Sequence, residues 1–256
     1  MIMWRKWIGA VLAVGVGTVL SPPAQADSGV PVVEPVVLGE LTHDPAAFTE
    51  GFEIDGKTLY EGTGLAGGSQ LRELDPVTGA LRRAVDMPGG YFGEGVTVVG
   101  DRIWQLTYED GVAVEWDKAT LRPLRTVPLT PQGWGLCRDG ERLIRSDGTS
   151  RLRFQEPKDL TETGAVDVTR DGHPVTGLNE LECVDGQVWA NVWPTDTIVR
   201  IDPYSGKVNL VVDAGGLRRR GIPPTAEVLN GIAHVSGDEY LLTGKDWPKT
   251  FRVRLG

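Results

Sequence analysis

Cysteine, methionine and histidine are scarce in this 256-residue chain, which holds two, three and three of them. Two cysteines are far too few for a disulfide-dependent scaffold, so the core must hold by burial. His43, His173 and His234 lie far apart, none at ligand spacing from another, which argues against a zinc site and leaves open only a structural calcium on loop aspartates. No Lys/Arg block interrupts a chain of formal charge −9, so neither nucleic acid nor an anionic membrane is expected as a partner. Also missing is any apolar i, i+3, i+4 pattern sustained for three turns, and helix should be minor.

No uncharged run is long enough for a permanent membrane span, which needs roughly 20 residues. The candidate, Ile8 to Leu20, follows Arg5 and Lys6 and precedes the small-x-small sequence Ala24-Gln25-Ala26. That arrangement reads as a cleaved secretory signal peptide over residues 1–26, without a lipobox cysteine. The mature chain is expected to begin at Asp27 with a charge of −11, as one domain over residues 27–256, periplasmic or extracellular.

What is abundant is glycine (34) and proline (17), placed in turn signals such as Asp55-Gly56, Asp139-Gly140, Asp185-Gly186 and Asp202-Pro203-Tyr204-Ser205-Gly206. Between the turns run short apolar stretches such as Thr197-Ile198-Val199-Arg200-Ile201. These segments repeat. Phe48-Thr49-Glu50-Gly51-Phe52 aligns with Phe92-Gly93-Glu94-Gly95-Val96, Gly133-Trp134-Gly135-Leu136, Leu178-Asn179-Glu180-Leu181 and Leu229-Asn230-Gly231-Ile232. The anchors Gly51, Gly95, Gly135, Glu180 and Gly231 are spaced by 44, 40, 45 and 51 residues, and a second and third strand follow each. A repeat of this length with four strands predicts an all-β, five-bladed propeller. The fifth repeat stops after its third strand, and Val36 to Leu41 is the segment available to supply the fourth and close the ring. A β-sandwich, the other candidate, gives no reason for five anchors.

In a propeller the innermost strands start at one mouth of the central channel, which places Glu50, Glu94, Trp134, Asn179 and Asn230 in a ring there. Two carboxylates, an indole N–H and two amides suit proton transfer and the holding of a polar amide or carboxyl substrate. Each alone could equally satisfy loop backbone; the convergence of five favours a site. Cys137 and Cys183 fall on adjacent inner strands, as a disulfide or as two buried thiols.

With these residues in view, the mature chain resembles the plant- and bacterial-type glutamine cyclotransferase family. The likeness rests on His43-Asp44-Pro45-x-x-Phe48-Thr49-Glu50-Gly51, Phe92-Gly93-Glu94-Gly95-x-Thr97, Gly133-Trp134-Gly135-Leu136, Ser146-Asp147-Gly148-Thr149, Leu178-Asn179-Glu180-Leu181-Glu182, Asn191-Val192-Trp193-x-Thr195-Asp196, Arg200-Ile201-Asp202-Pro203, Asn230-Gly231-Ile232-Ala233 and Thr243-Gly244-Lys245-x-Trp247-Pro248. The resemblance implies a five-bladed propeller enzyme that, without zinc, converts N-terminal glutaminyl residues of peptides and proteins to pyroglutamyl residues with release of ammonia; a monomer is expected. It also implies Glu94 as the catalytic carboxylate, with Phe48, Trp134, Asn179, Trp193 and Lys245 around it. Two positions depart from the family pattern: Glu50 stands where relatives commonly carry Gln, and Tyr108 where many carry Trp. Two carboxylates side by side raise one another's pKa, so Glu50 bears directly on Glu94.

Cyclisation needs the α-amine to attack its own γ-carboxamide carbon while one proton moves from the amine to the departing nitrogen. Glu94 is the expected shuttle. Trp134, Trp193, Asn179 and Lys245 are all candidate donors to the oxyanion, with Asn230 and Glu50 candidates for holding the amine. Rival readings are a non-catalytic secreted propeller that binds an envelope or extracellular protein, and a calcium-dependent lactone hydrolase.

Overall fold

The computed structural model describes residues 29–256; the leader expected over residues 1–26 and the start expected at Asp27 lie outside them. Strands dominate, and among the described residues the helical elements are two short 3-10 turns, Pro88–Gly90 and Gly215–Arg220. The architecture is an all-β propeller whose blades are four-stranded antiparallel meanders. Sheet 1 runs Thr49–Asp55, Thr58–Thr63, Gln70–Leu74 and Leu81–Asp86, and sheet 2 runs Gly93–Val99, Arg102–Thr107, Val112–Asp117 and Arg122–Pro128. Sheet 3 runs Leu136–Asp139, Arg142–Arg145, Arg151–Gln155 and Glu162–Asp167. Sheet 4 contains Leu178–Val184, Gln187–Val192, Thr197–Asp202 and Lys207–Asp213, and sheet 5 contains Leu229–Ser236, Glu239–Gly244 and Lys249–Arg254.

The fourth strand of sheet 5 comes from the other end of the chain. Val36–Thr42 pairs antiparallel with Lys249–Arg254, Val37 opposite Val253 and Thr42 opposite Lys249. Sheet 4 departs from the four-strand expectation, since it has seven strands. Val32–Val33 lies parallel to Val211 and Val212, and the hairpin of Thr169–Arg170 with His173–Pro174 joins through Thr169 opposite Lys207. Both additions sit on the outer strand Lys207–Asp213 and cover an edge otherwise open to another chain.

Burial follows from stacking. The second strands are buried at nearly every position because both faces meet a neighbouring sheet, whereas Leu81–Asp86 and Glu162–Asp167 leave most positions at least partly exposed. Five apolar clusters fill the interfaces between sheets 1 and 2, 2 and 3, 3 and 4, 4 and 5, and 5 and 1. The last of these packs Phe52, Leu59 and Leu74 against Ala233 and Leu241.

The anchors owe their identity to close approach. A Cβ on Gly51 would stand 2.5 Å from Val96 N, one on Gly95 2.6 Å from Trp134 O, and one on Gly135 2.1 Å from Asn179 O. First strands of adjacent sheets therefore meet backbone to backbone. The other two anchors differ: Gly231 adopts a φ of +138° with side chains as its nearest neighbours, and the Glu180 carboxylate accepts from the backbone N–H of Ile232 at 2.8 Å and of Phe52 at 3.3 Å. Cys137 and Cys183 form a disulfide between the first strands of sheets 3 and 4, which resolves the pairing left open by the sequence.

Candidate active site

Each first strand of sheets 1, 2, 4 and 5 opens with an irregularity in its ladder, between Thr49 and Gly51, Gly93 and Val96, Leu178 and Leu181, and Leu229 and Ile232. A bulge re-aims the side chain within it. The residues caught in these four bulges include Glu50, Glu94, Asn179 and Asn230, which explains why a polar group at that repeat position turns away from the apolar interfaces.

Glu50, Glu94, Asn179, Trp134, Lys245, Phe48, Trp193 and Tyr108 all line one cavity of about 280 Å3, together with Phe92. Its wall is an arc of aromatic rings from successive sheets: Phe48 edge-on to Phe92 at 6.2 Å, Phe92 to Tyr108 at 5.7 Å, Tyr108 to Trp134 at 6.3 Å, and Trp134 to Trp193 at 5.8 Å. The Trp134 ring lies against Gly148, where any Cβ would meet it at 2.6 Å, so a larger residue would drive the indole into the cavity. Trp193, 46% exposed, forms the lip.

Phe92 was missed by sequence reasoning, although it stands two positions before Glu94 as Phe48 does before Glu50, and that repeat was the available signal. Asn230, expected at the mouth, is placed behind it. Fully buried, it donates through Nδ2 to Glu50 Oε2 at 2.9 Å and to Thr49 O at 3.0 Å. Lys245 donates to Glu50 Oε1 at 2.6 Å and lies 4.6 Å from the centre of the Phe48 ring. Glu50 is therefore held on both oxygens, by a cation and by an amide.

Glu94 is held differently. It is buried, and its Oε2 has no hydrogen-bond partner. Burial first and the Glu50 charge next push its pKa well above the ordinary carboxylate range, with Lys245 pulling the other way. Burial also raises Glu50, to about 7, against the opposing pull of Lys245. The two carboxylates titrate together, each raised first by its burial, and Glu94 carries in addition the repulsion of the Glu50 charge. Trp134 Nε1 and Asn179 Oδ1 are likewise buried without partners. Such atoms are costly in a finished protein unless something else satisfies them.

Three further carboxylates, Glu53, Glu180 and Glu182, are pushed up chiefly by burial, Glu53 to about 7. Glu53 accepts from Val98 N, as Glu180 does from Ile232 N, so both satisfy inner-strand backbone rather than face the cavity. Among the described residues no three His, Cys, Asp or Glu side chains come together in a metal-ligating cluster.

A sequence model of the glutamine cyclotransferase family matches residues 10–255. The chain is 39% identical over 229 residues to the glutaminyl-peptide cyclotransferase of Arabidopsis thaliana, covering 86% of this chain and 70% of that one. Among solved structures, the glutaminyl cyclase of Myxococcus xanthus superposes with a TM-score of 0.81 at 35% identity, over 89% of this chain and 98% of that one. A calcium-binding regucalcin from Agrobacterium tumefaciens, at 14% identity and a TM-score of 0.53 over 88% of this chain and 96% of that one, shares the fold alone. The family model spans nearly the whole chain and agrees with both high-identity relatives, so the chain belongs to the glutamine cyclotransferase family.

Proposed function

We propose that this enzyme is a glutaminyl-peptide cyclotransferase that closes N-terminal glutamine to pyroglutamate in the cavity around Glu94. The observation that carries the reading is the convergence of three buried, unpartnered polar atoms, Glu94 Oε2, Trp134 Nε1 and Asn179 Oδ1, in a pocket walled by aromatic rings. An acceptor, a donor and a second acceptor match what a folded glutaminyl residue presents: an amine, a carbonyl oxygen and an amide nitrogen.

The substrate arrives with an α-ammonium group, and a cation beside Glu94 favours the carboxylate over the acid. Glu94 takes one proton, and the neutral amine attacks the γ-carboxamide carbon to form the ring C–N bond. Trp134 Nε1–H donates to the developing oxyanion. Glu94 then gives that proton to the amide nitrogen, takes the second proton from the ring nitrogen as the old C–N bond breaks, and releases it to solvent once ammonia has left. Two protons leave the amine nitrogen, one to ammonia and one to solvent, while one C–N bond forms and one breaks. Glu50, fixed by Lys245 and Asn230, keeps its negative charge beside the amine, and the aromatic arc holds the glutamine bent and excludes bulk water. No step in this scheme calls on a metal.

The same reading counts the Leu178–Asp213 strands as a fifth blade and takes the molecule as a five-bladed ring closed by Val36–Thr42. The five apolar interfaces and the Val36–Thr42 pairing support it. It also takes residues 1–26 as an export signal and residues 27–256 as a single monomeric catalytic domain. A disulfide between Cys137 and Cys183 fits an oxidising destination outside the cytosol.

The test is incubation of the protein with a glutamine-initiated peptide and with the same peptide beginning with alanine, with and without a chelator. Ammonia release and loss of one ammonia in mass from the first peptide only, unchanged by chelator, is the expected result. A protein that releases no ammonia from any glutamine-initiated peptide is not this enzyme.

A further inference from the structure

The cavity around Glu94, about 280 Å3, is too small for a whole peptide, so the residues that follow the N-terminal glutamine leave across the rim. The rim is not uniform. On one side, Tyr108 is shared between the active-site cavity and a second, open cavity of about 540 Å3. The second cavity lies between the turn after Arg102–Thr107, the link from Arg122–Pro128 into sheet 3, and the turn after Arg142–Arg145. These connections belong to the same face as the active site, since each precedes or follows a strand end that lies at the Glu94 mouth. Tyr108 senses both sides: burial first, then the carboxylates of Glu109 and Glu94, raise its phenol.

The charges lining the groove are unevenly compensated. Arg153 is engaged by Asp147 at 2.8 Å and by Glu162 at 3.0 Å. Arg145, fully buried beneath the groove, spends its guanidinium on the carbonyls of Pro131 at 2.7 Å and Thr130 at 3.1 Å. Asp147 is buried and saturated by Thr149 and Arg153, and Asp110 accepts from Phe92 N at 2.9 Å. Glu109 and Asp110 are both exposed with no ion pair among the described residues, but Asp110 turns one oxygen to Phe92 N, and Glu109 is the one that lines the groove. A groove continuous with the active site, with its cations occupied and one carboxylate free, attracts positive charge.

We propose that this groove is the extended substrate subsite: it takes the residues that follow the N-terminal glutamine, and Glu109 selects peptides with lysine or arginine there. The proposal rests on the cyclotransferase reading above and goes beyond it to specificity. Glu109 acts on binding and orientation, so its effect falls on KM more than on kcat.

The experiment compares kcat/KM for the amides of Gln-Lys-Lys, Gln-Ala-Ala and Gln-Glu-Glu at low ionic strength, in wild type, Glu109→Gln, Glu109→Lys and Glu141→Gln. Glu141 is exposed in the turn at the far end of sheet 3 and reports the effect of overall charge. Wild type is expected to favour the lysine peptide over the glutamate peptide by about three- to tenfold, through KM, with the difference shrinking as salt screens it. Glu109→Gln should bring the ratio close to one, Glu109→Lys should invert it, and Glu141→Gln should leave it as in wild type. Equal rates on all three peptides in wild type, or equal loss of discrimination in Glu141→Gln and Glu109→Gln, would overturn the subsite while leaving the cyclotransferase reading standing. A wild type that cyclises none of the three would overturn both.

Discussion

Lys245 Nζ sits 2.6 Å from Glu50 Oε1, and both side chains are nearly inaccessible to water. This pairing changes what the two residues are for. Lys245 is committed to a carboxylate before any substrate arrives, and Glu50 keeps enough negative charge to face a substrate amine despite its burial. Removing one partner of a buried pair leaves the other uncompensated at a cost of about 3–5 kcal/mol. Lys245→Met should therefore lower unfolding stability by about that amount at pH 8, where Glu50 without its partner resists burial as an anion. The loss should shrink near pH 5, where Glu50 carries a proton. Adding Glu50→Gln to Lys245→Met should recover much of the loss, measured by urea unfolding at the two pH values. Equal losses at both would show that the pair does not act through charge.

Glu50→Gln alone bears on catalysis. It removes the like charge that helps to raise Glu94 and frees Lys245 to act on Glu94, and both changes lower the Glu94 pKa. Activity that needs ionised Glu94 is lost as pH falls through that pKa. The acidic limb of the kcat/KM profile should accordingly move to lower pH in the variant. The glutamine amide has one oxygen where Glu50 has two, so it keeps the hydrogen bond from Lys245 or the one from Asn230 but not both, and a modest loss of stability is also expected. An acidic limb that stays in place or moves upward would remove Glu50 from the electrostatics of Glu94.

The repeat in the sequence was enough to locate Glu50, Glu94, Trp134 and Asn179 on one cavity, because each stands just before the anchor of its repeat, at the start of a first strand, and in three of the four a bulge aims the side chain inward. It also pointed to the Val36 segment, whose pairing with Lys249–Arg254 supplies the fourth strand of sheet 5. What remained hidden was long-range partnership. Lys245 and Glu50 are 195 residues apart, and no local spacing announces their contact. Nor do two-residue strands such as Val32–Val33 or Thr169–Arg170 show an alternation long enough to read, so the extra strands of sheet 4 were not foreseen. Asn230 shared the repeat position but not the cavity, since its amide is consumed by Glu50 and Thr49 O.

A second buried pair ties the closing segment to sheet 1. His43 Nε2 lies 2.8 Å from Glu61 Oε1, its Nδ1 meets Trp247 O at 2.7 Å, and Thr49 donates to the same Glu61 oxygen. Burial alone would depress His43, but Glu61 outweighs it and the net direction is upward. Burial would raise Glu61, and His43 with Arg72 reverses that as well. A raised histidine pKa stabilises the fold below the unfolded histidine value and loses that contribution as pH rises through the folded one. A lowered glutamate pKa stabilises above the unfolded glutamate value and is lost as pH falls. The pair therefore contributes most between about pH 4.5 and 6.5. Glu61→Gln should reduce stability more at pH 6 than at pH 9, read from urea midpoints at the two values. A loss independent of pH would mean that the contact matters only as packing.

Glu94 provides the sharpest test, because its chemistry and its contribution to stability should move in opposite directions. Glu94→Gln preserves size and shape but has no titratable proton to carry between amine and leaving nitrogen, so kcat should fall by about 10²- to 10⁴-fold on a glutamine-initiated peptide. The wild-type side chain, by contrast, is a buried carboxyl raised by desolvation and by a neighbouring negative charge, a combination that disfavours the folded state whenever it ionises. Its stability cost is absent below the unfolded carboxylate pKa, where both states hold the proton, and grows as pH rises toward the folded value. Glu94→Gln should consequently unfold at a higher temperature than wild type at pH 8 and at nearly the same temperature at pH 4. Loss of turnover together with that pH-dependent gain identifies Glu94 as a group strained for its reaction. Near-wild-type turnover in Glu94→Gln, with collapse only in Glu50→Gln, would place the proton shuttle on the other member of the pair.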